Sequence, residues 1–188
     1  RAAPEQTTVG IDVAYSTAIV EFPADAMPDF DVMATLPMPP DNPHGGMILV
    51  REDNCFFASL STRGGEVPPA DWPGFIEGAT KLTTRSQHEL MKRAKLRGRI
   101  TQFKFPESRR LHFERLVNLP RGLVALGDAV CRFNPVYGQG MSSAAQQALL
   151  LRDLLASRQG HAQPLDGLFE ALAAATVPLL DNIWALSA

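Results

Sequence analysis

Residues Gly122 to Leu155 read GLVALGDAVCRFNPVYGQGMSSAAQQALLLRDLL. A short apolar run ends in Gly127-Asp128, Pro135 follows, Gly138-Gln139-Gly140 comes next, and a long helical pattern opens. Leu123 to Leu126 reads as a strand that ends in glycine, where a ligand can approach the backbone because no Cβ stands in the way. Asp128 then projects a carboxylate just beyond the strand end, able to accept charge-assisted hydrogen bonds from the hydroxyls of a polyol. The helix that opens at Gly140 offers free N–H groups and the positive end of its macrodipole. After Asp128 the next acid is Asp153, so no nearby acid in the sequence neutralises that end. A glycine-flanked helix start without an acid is a place for an anion or a developing negative charge.

The rest of the chain supplies a frame. Residues 9 to 19 alternate, with Val9, Ile11, Val13, Tyr15, Thr17 and Ile19 on one side and Gly10, Asp12, Ala14, Ser16 and Ala18 on the other, a half-buried strand. Phe30, Val32, Ala34 and Leu36 repeat the pattern before the irregular PMPPDNPHGG stretch. MILVREDNCFFASL reads as two strands joined by a turn at Glu52-Asp53-Asn54. Strands with such short connections predict an antiparallel sheet. Asp71 is placed to cap a short helix, and Ser86 with Glu89 has capping-box spacing for a second. RITQFKF returns to a strand that is expected to end at Pro106. Met141, Ala144, Ala145, Ala148, Leu151 and Leu155 mark an amphipathic helix. A last helix is predicted over Leu165 to Leu186, with a kink or break near Pro178.

Composition narrows the classes. Among 188 residues, 18 basic and 20 acidic side chains give a net charge of −2, without a long block of one sign. That balance argues against nucleic acid or an anionic membrane as the main partner. Cys55 and Cys131 are far apart, form no C-x-x-C pair and are expected as buried, reduced thiols, with no metal signature. The apolar stretch Ala171 to Leu180 is too short to span a bilayer, and RAAPEQTT lacks the core of a signal peptide, so a soluble cytoplasmic protein is expected. The four histidines His44, His88, His112 and His161 are scattered and read as surface or hydrogen-bonded groups. SRRLHFER, residues 108 to 115, reads as a solvated approach; its sharper alternative is an Arg109 or Arg110 that meets a cofactor phosphate or a substrate acid. Phe56, Phe57, Phe103 and Phe105 are expected mostly on the covered face of the sheet.

A polyol-binding carboxylate beside an anion-binding helix start suits a flavin dinucleotide, whose ribityl chain carries hydroxyls and whose pyrimidine edge gains negative charge on reduction. The stretch GDAVCRFNPVYGQGMSSAAQQALLLRDLL resembles the C-terminal flavin motif of the FAD-dependent aromatic hydroxylases, the group A flavoprotein monooxygenases. Its NPVYGQGM form is most similar to the branch of squalene epoxidase and the polyprenyl-phenol hydroxylases. The resemblance implies that Asp128 holds the ribityl hydroxyls, and that Gly127 and Ala129 let the chain pass close to the pyrophosphate and ribityl region. It also places Pro135 beside the isoalloxazine, with the backbone of Gly140, Met141 and Ser142 facing the N1/C2=O edge and Gly138 shaping the turn before it. It implies FAD as cofactor, NAD(P)H as reductant, O₂ as co-substrate, an apolar or aromatic substrate, and no catalytic side chain. Tyr137 would border the flavin pocket or pack in the core.

The family's strand–Gly-x-Gly-x-x-G–helix unit, which holds the ADP half of FAD, has no counterpart in Arg1 to Gly65. The expectation is therefore an α+β chain: an antiparallel substrate sheet over 1–107, the C-terminal part of an FAD-binding domain over 108–160, and a helical tail over 161–188. It would be a fragment that meets a missing N-terminal FAD-binding half and binds FAD weakly alone; a homodimer is compatible with it. Two other readings share the scaffold or its remains. One is a flavin-dependent halogenase or prenyl reductase, although the halogenase Trp-x-Trp-x-Ile-Pro signature is absent, with Trp72 and Trp184 standing apart. The other is a silent remnant or small-molecule binding module.

Overall fold

Strand β1, Gln6–Glu21, is the longest strand, and its alternation changes parity at Asp12, where φ is 43°. Beyond that residue the small side chains Ala14, Ser16, Ala18 and the larger Val20 are buried, while Tyr15, Thr17 and Ile19 are half-exposed. The computed structural model describes residues 3–187. The chain divides into two units, one of Asp12–Pro106 and one of Arg1–Ile11 with Glu107–Ala188.

In the first unit, β2 (Val32–Thr35), β3 (Gly45–Val50) and β4 (Cys55–Arg63) are antiparallel, and β4 pairs with β1 from Val13↔Arg63 to Glu21↔Cys55. The two-residue Lys95–Leu96 strand, β5, also pairs with β1. The β3–β4 turn runs through Asp53 and Asn54 with φ of 63° and 55°, the mirror-image turn geometry that suits a tight hairpin. Helix α1, Trp72–Gly78, is capped as the sequence predicts: the Asp71 carboxylate accepts from the Gly74 N–H at 2.8 Å. Helix α2, Ser86–Arg93, is not capped by Ser86. The residue before it, Arg85, is the cap position, without a side-chain bond, and the Glu89 carboxylate accepts instead from Lys92 at 3.0 Å. A one-residue shift of the helix start is enough to take a serine out of capping geometry.

These helices cover one sheet face. Ala18, Val20, Ile48, Phe56, Ala58 and Leu60 from the strands pack with Phe75, Ala79, Leu82 and Met91. Each large side chain among them contributes roughly 1.5–3 kcal/mol by leaving water. The four phenylalanines expected on the covered face divide evenly. Phe56 and Phe105 are buried, whereas Phe57 and Phe103 are exposed. Strand β6, Thr101–Leu111, runs straight through Pro106. Proline's fixed φ fits an extended chain and costs one donor only, so it need not end a strand. The hydrogen-bonded order is β2-β3-β4-β1-β6-β7, with the short β7 at Cys131–Arg132.

The second unit is built on α3 (Gln139–Ser157) and α4 (Leu168–Ser187). Val130, Cys131 and Phe133 pack on Leu180 and Ile183 of α4, and Leu119 on Phe169 and Ala173. Leu168–Leu186 is long and apolar enough to cross a membrane by length and composition. Its Leu172, Leu180 and Ile183 are nevertheless buried in the core of this unit, and its Asp181 pairs with Arg110. Pro178 lies inside the helix, which continues past it to Ser187, so the helix does not break there. The segment Leu123 to Leu126, predicted as a strand, forms none: Leu126 is extended at φ −141°, ψ 159°, but the segment joins no ladder among the described residues. An apolar composition suits a strand, but a ladder also needs a neighbouring strand to bond. Arg110 corrects a further expectation. It is buried rather than solvated, and its guanidinium is engaged by Asp181, with Glu114 3.8 Å away.

Gly46 tests the packing of α2 on β3. A Cβ there would stand 2.3 Å from Gln87 Oε1 and 2.7 Å from Leu82 Cδ1. Gly46→Ala is expected to cost about 1–3 kcal/mol by overpacking, read from urea denaturation; an unchanged midpoint would mean that the helix does not lie so close.

Candidate functional site

The quoted stretch forms a corner within the second unit. Gly127–Ala129 is a single 3-10 turn, and Gly127 holds φ of 58°, which costs a side-chain-bearing residue about 1–2 kcal/mol. A Cβ on Gly127 would also sit 3.4 Å from the Ala144 methyl. The Gly127 N–H donates to Gln147 Oε1 at 2.9 Å, and Gln147 Nε2 donates to Ser143 Oγ at 3.0 Å. Gln147 and Ser143 are fully buried, at 0% and 1% exposure. A buried glutamine therefore fastens the Gly-Asp turn to α3.

This pair was not singled out by sequence. The repeat of Met141, Ala144, Ala145, Ala148, Leu151 and Leu155 suggested the packed face; Ala144 and Leu151 are half-buried, yet Met141 is 87% exposed and the fully buried side chains of α3 are Ser143 and Gln147. A helix rich in Ala and Leu is apolar on several faces, so periodicity does not select one. The available signal was two polar residues four apart, on one face of the helix.

The turn sets Asp128 over the helix start. Its Oδ1 lies 3.9 Å from where a Gly140 Cβ would be. No side chain caps α3, and its first turn holds no acid. Asn134, buried, caps the Pro135–Tyr137 turn by accepting from the Val136 N–H at 3.1 Å, and Gly138 at φ 65° turns the chain into α3. Asp128, Ala129, Pro135, Gly138, Met141 and Ser142 are exposed, and Gly127 and Gly140 partly so. All eight predicted residues lie in this unit, on the segment from the Gly-Asp turn to the first turn of α3. The half-exposed Tyr137 belongs to it too.

Cys131 is buried just behind. Burial pushes its thiol up to about 12; Arg110 opposes that shift and the Asp128 carboxylate adds to it. At neutral pH it is an inert thiol.

The first unit presents a different surface. Opposite the helices, Val32, Leu49, Phe57 and Ile19 lie across four strands, and the neighbouring row holds Ala34, Met47, Ser59 and Thr17. Val32, Met47 and Phe57 are 53%, 40% and 37% exposed. Arg51 lies over the Phe57 ring, 5.4 Å from its centroid. Thr17 Oγ1 and Ser59 Oγ share a 2.8 Å hydrogen bond. Near the end of this face, the Tyr15 hydroxyl and Arg63 Nε are buried atoms without a hydrogen-bond partner. Burial raises the Tyr15 phenol to about 12, with Arg63 pulling the other way, so it stays a donor. Among the histidines, His44 and His112 are tied into polar clusters with Glu66 and Glu114.

With this geometry in view, the architecture is that of the FAD-dependent monooxygenases and halogenases. The chain superposes on Klebsiella pneumoniae HpxO, solved with FAD and uric acid, at a TM-score of 0.59 and 16% identity, over 96% of this chain and 44% of that one. It superposes on the flavin-dependent halogenase CmlS at a TM-score of 0.62 and 10% identity, over 95% of this chain and 32% of that one. Among curated proteins it is 30% identical to protein Rv3254 of Mycobacterium tuberculosis over 155 residues, 82% of this chain and 32% of that protein. The chain thus spans about a third of that relative and under half of HpxO. No family model matches the chain.

Gln147→Leu should leave the Gly127 N–H buried and unbonded and cost about 1–3 kcal/mol. Urea denaturation of the variant measures this, and a loss below about 0.5 kcal/mol would show that the glutamine does not fasten the turn.

Proposed function

We propose that this chain is the substrate-sheet and flavin-closing part of an FAD-dependent monooxygenase that hydroxylates or epoxidises an apolar or aromatic molecule. The observation that carries this reading is the Asp128 carboxylate beside an uncapped, acid-free start of α3. A helix N-terminus carries about half a positive charge. Where the sequence supplies neither cap nor acid, an external anion or a polarised carbonyl is the natural counterpart.

The residues fit a flavin. Asp128 is exposed and would accept hydrogen bonds from two ribityl hydroxyls. Gly127 and Ala129 leave the backbone bare for the pyrophosphate and ribityl region. Pro135 and Gly138 would flank the ring, and the N–H groups of Gly140, Met141 and Ser142 would face its N1/C2=O edge. When bound, FAD would supply the redox chemistry: substrate, O₂, NAD(P)H and a proton become oxygenated substrate, water and NAD(P)⁺. The protein's part is to hold, orient and stabilise charge. In this reading residues 1–107 serve as the substrate-sheet domain, 108–160 as the closing part of the FAD domain and 161–188 as a helical tail, completed by a nucleotide-binding half. The sequence form NPVYGQGM favours the branch similar to squalene epoxidase.

The open sheet face in the first unit would be the substrate wall. It is apolar at Val32, Met47, Leu49 and Phe57, with a donor pair at Tyr15 and Arg63 for a substrate oxygen. A halogenase is the second reading, supported by the shared architecture with CmlS; product analysis with halide present separates the two.

In the full-length protein, Asp128→Ala is expected to weaken FAD by about 10- to 150-fold, the loss of a charge-assisted bond of about 1.5–3 kcal/mol. Flavin absorbance of the purified protein reads this, and full occupancy would overturn the role given to Asp128. Tyr15→Phe should raise KM for substrate by about 10-fold with kcat little changed. An unchanged KM in steady-state assays would remove Tyr15 from the substrate wall.

A further inference from the structure

The open sheet face of the first unit is apolar along most of its length and polar at one end. Ser61 lies directly opposite Tyr15 in the β1–β4 ladder, and Arg63 lies opposite Val13. Side chains of a ladder pair stand on one face, and residues two apart along a strand share it. Tyr15, Ser61 and Arg63 therefore project on the open side together. Tyr15 and Arg63 are diagonal neighbours, a separation of about 7 Å that an aromatic and a long side chain can close. Ser61 also pairs with Gly45 of β3, where a Cβ would stand 2.6 Å from Ser61 Oγ and 2.9 Å from Pro37 Cδ. The bare glycine leaves the hydroxyl its room.

These three groups offer donors and meet no acceptor. The Tyr15 hydroxyl and Arg63 Nε are buried and unbonded, although both residues are half-buried as wholes. Among the described residues Arg63 closes no ion pair, and Ser61 Oγ joins no hydrogen bond. The next pair along the face, Thr17 and Ser59, is by contrast satisfied internally at 2.8 Å. Two acids stand nearest along the chain. Asp12 Oδ2 faces Gly65, 3.9 Å from where a Cβ would be, and Glu66 is taken by Lys81 and His44. Neither pairs with Arg63. Burial raises the Tyr15 phenol, Arg63 opposes that rise, and no carboxylate adds to it.

A half-buried arginine without a counter-ion, beside two hydroxyls, calls for an anion with two acceptor oxygens. One guanidinium balances one charge, and its planar fork matches a carboxylate. Beyond this end, the rows Thr17, Ser59, Met47 and Ile19, Phe57, Leu49 carry the face on to Val32. Ser61 and Phe57 are four residues apart, about 14 Å at the rise of a strand. Resting on the reading of this face as the substrate wall, we infer that the substrate is an apolar carboxylic acid. Its carboxylate is held by Arg63, Tyr15 and Ser61, and its body lies along Met47, Leu49 and Phe57. Binding moves the Arg63 side chain off the phenol and gives both buried donors a partner.

The test titrates the full-length protein with decanoate, and with methyl decanoate as its uncharged counterpart. Calorimetry reads binding, flavin absorbance reads FAD content, and circular dichroism checks the fold of each variant. Decanoate is expected to bind about 10-fold tighter than the ester. Arg63→Gln should weaken decanoate about 10-fold and leave the ester unchanged, and Arg63→Lys should restore part of the loss. Where Arg63→Gln does not fold, Ser61→Ala decides: a loss of about 10-fold for decanoate supports the site, and no loss overturns it. No decanoate binding, equal affinity for acid and ester, or decanoate binding indifferent to Arg63→Gln would overturn the inference. FAD content tests the monooxygenase reading separately. Decanoate binding that depends on Arg63 in a protein that never holds FAD would keep the acid site and overturn that reading; full FAD occupancy with equal binding of acid and ester would do the reverse.

Discussion

A single buried side chain holds the candidate flavin corner together. Gln147 spends its amide oxygen on the Gly127 N–H and its amide nitrogen on Ser143, one turn earlier in α3. With no exposure to water, each of these bonds avoids an unpaired buried group, which would cost about 1–3 kcal/mol. The consequence is positional. Gly127 sits in a left-handed turn against Ala144, and Asp128 is delivered over the start of the helix rather than into solvent at random. The start of α3 keeps its N–H groups uncapped because the nearest carboxylate is held above it without bonding them.

Much of this frame was legible in sequence, for reasons local to the chain. Asp53-Asn54 can adopt positive φ and closes a hairpin. Asp71 reaches the Gly74 N–H three residues on. The two cysteines are free and buried, as their spacing suggested. What failed depended on distant partners. Leu123 to Leu126 has strand composition, and Leu126 has extended dihedrals, but the segment joins no ladder among the described residues. The alternation of β1 reads cleanly until Asp12, where a positive φ exchanges its faces. Arg110 looked solvated because Asp181, which pairs with it, lies 71 residues away.

The candidate site was legible as composition and illegible as support. Glycines without acids mark an uncapped helix start, whereas a buried Gln–Ser pair looks like any two polar residues of a helix. The same contrast holds in the first unit. His44, Glu66 and Lys81 are ordinary surface types in sequence, and only Asn42 and the turn after β4 bring them together.

The central claim is that the Gly-Asp turn and the first turn of α3 receive a flavin together. A crystal structure of the FAD-bound full-length protein tests it most directly. The account predicts the Asp128 carboxylate within hydrogen-bond distance of the ribityl hydroxyls, with the N–H groups of Met141 and Ser142 directed at the C2=O edge. A flavin bound elsewhere, or one at this corner with Asp128 turned to solvent, would contradict it.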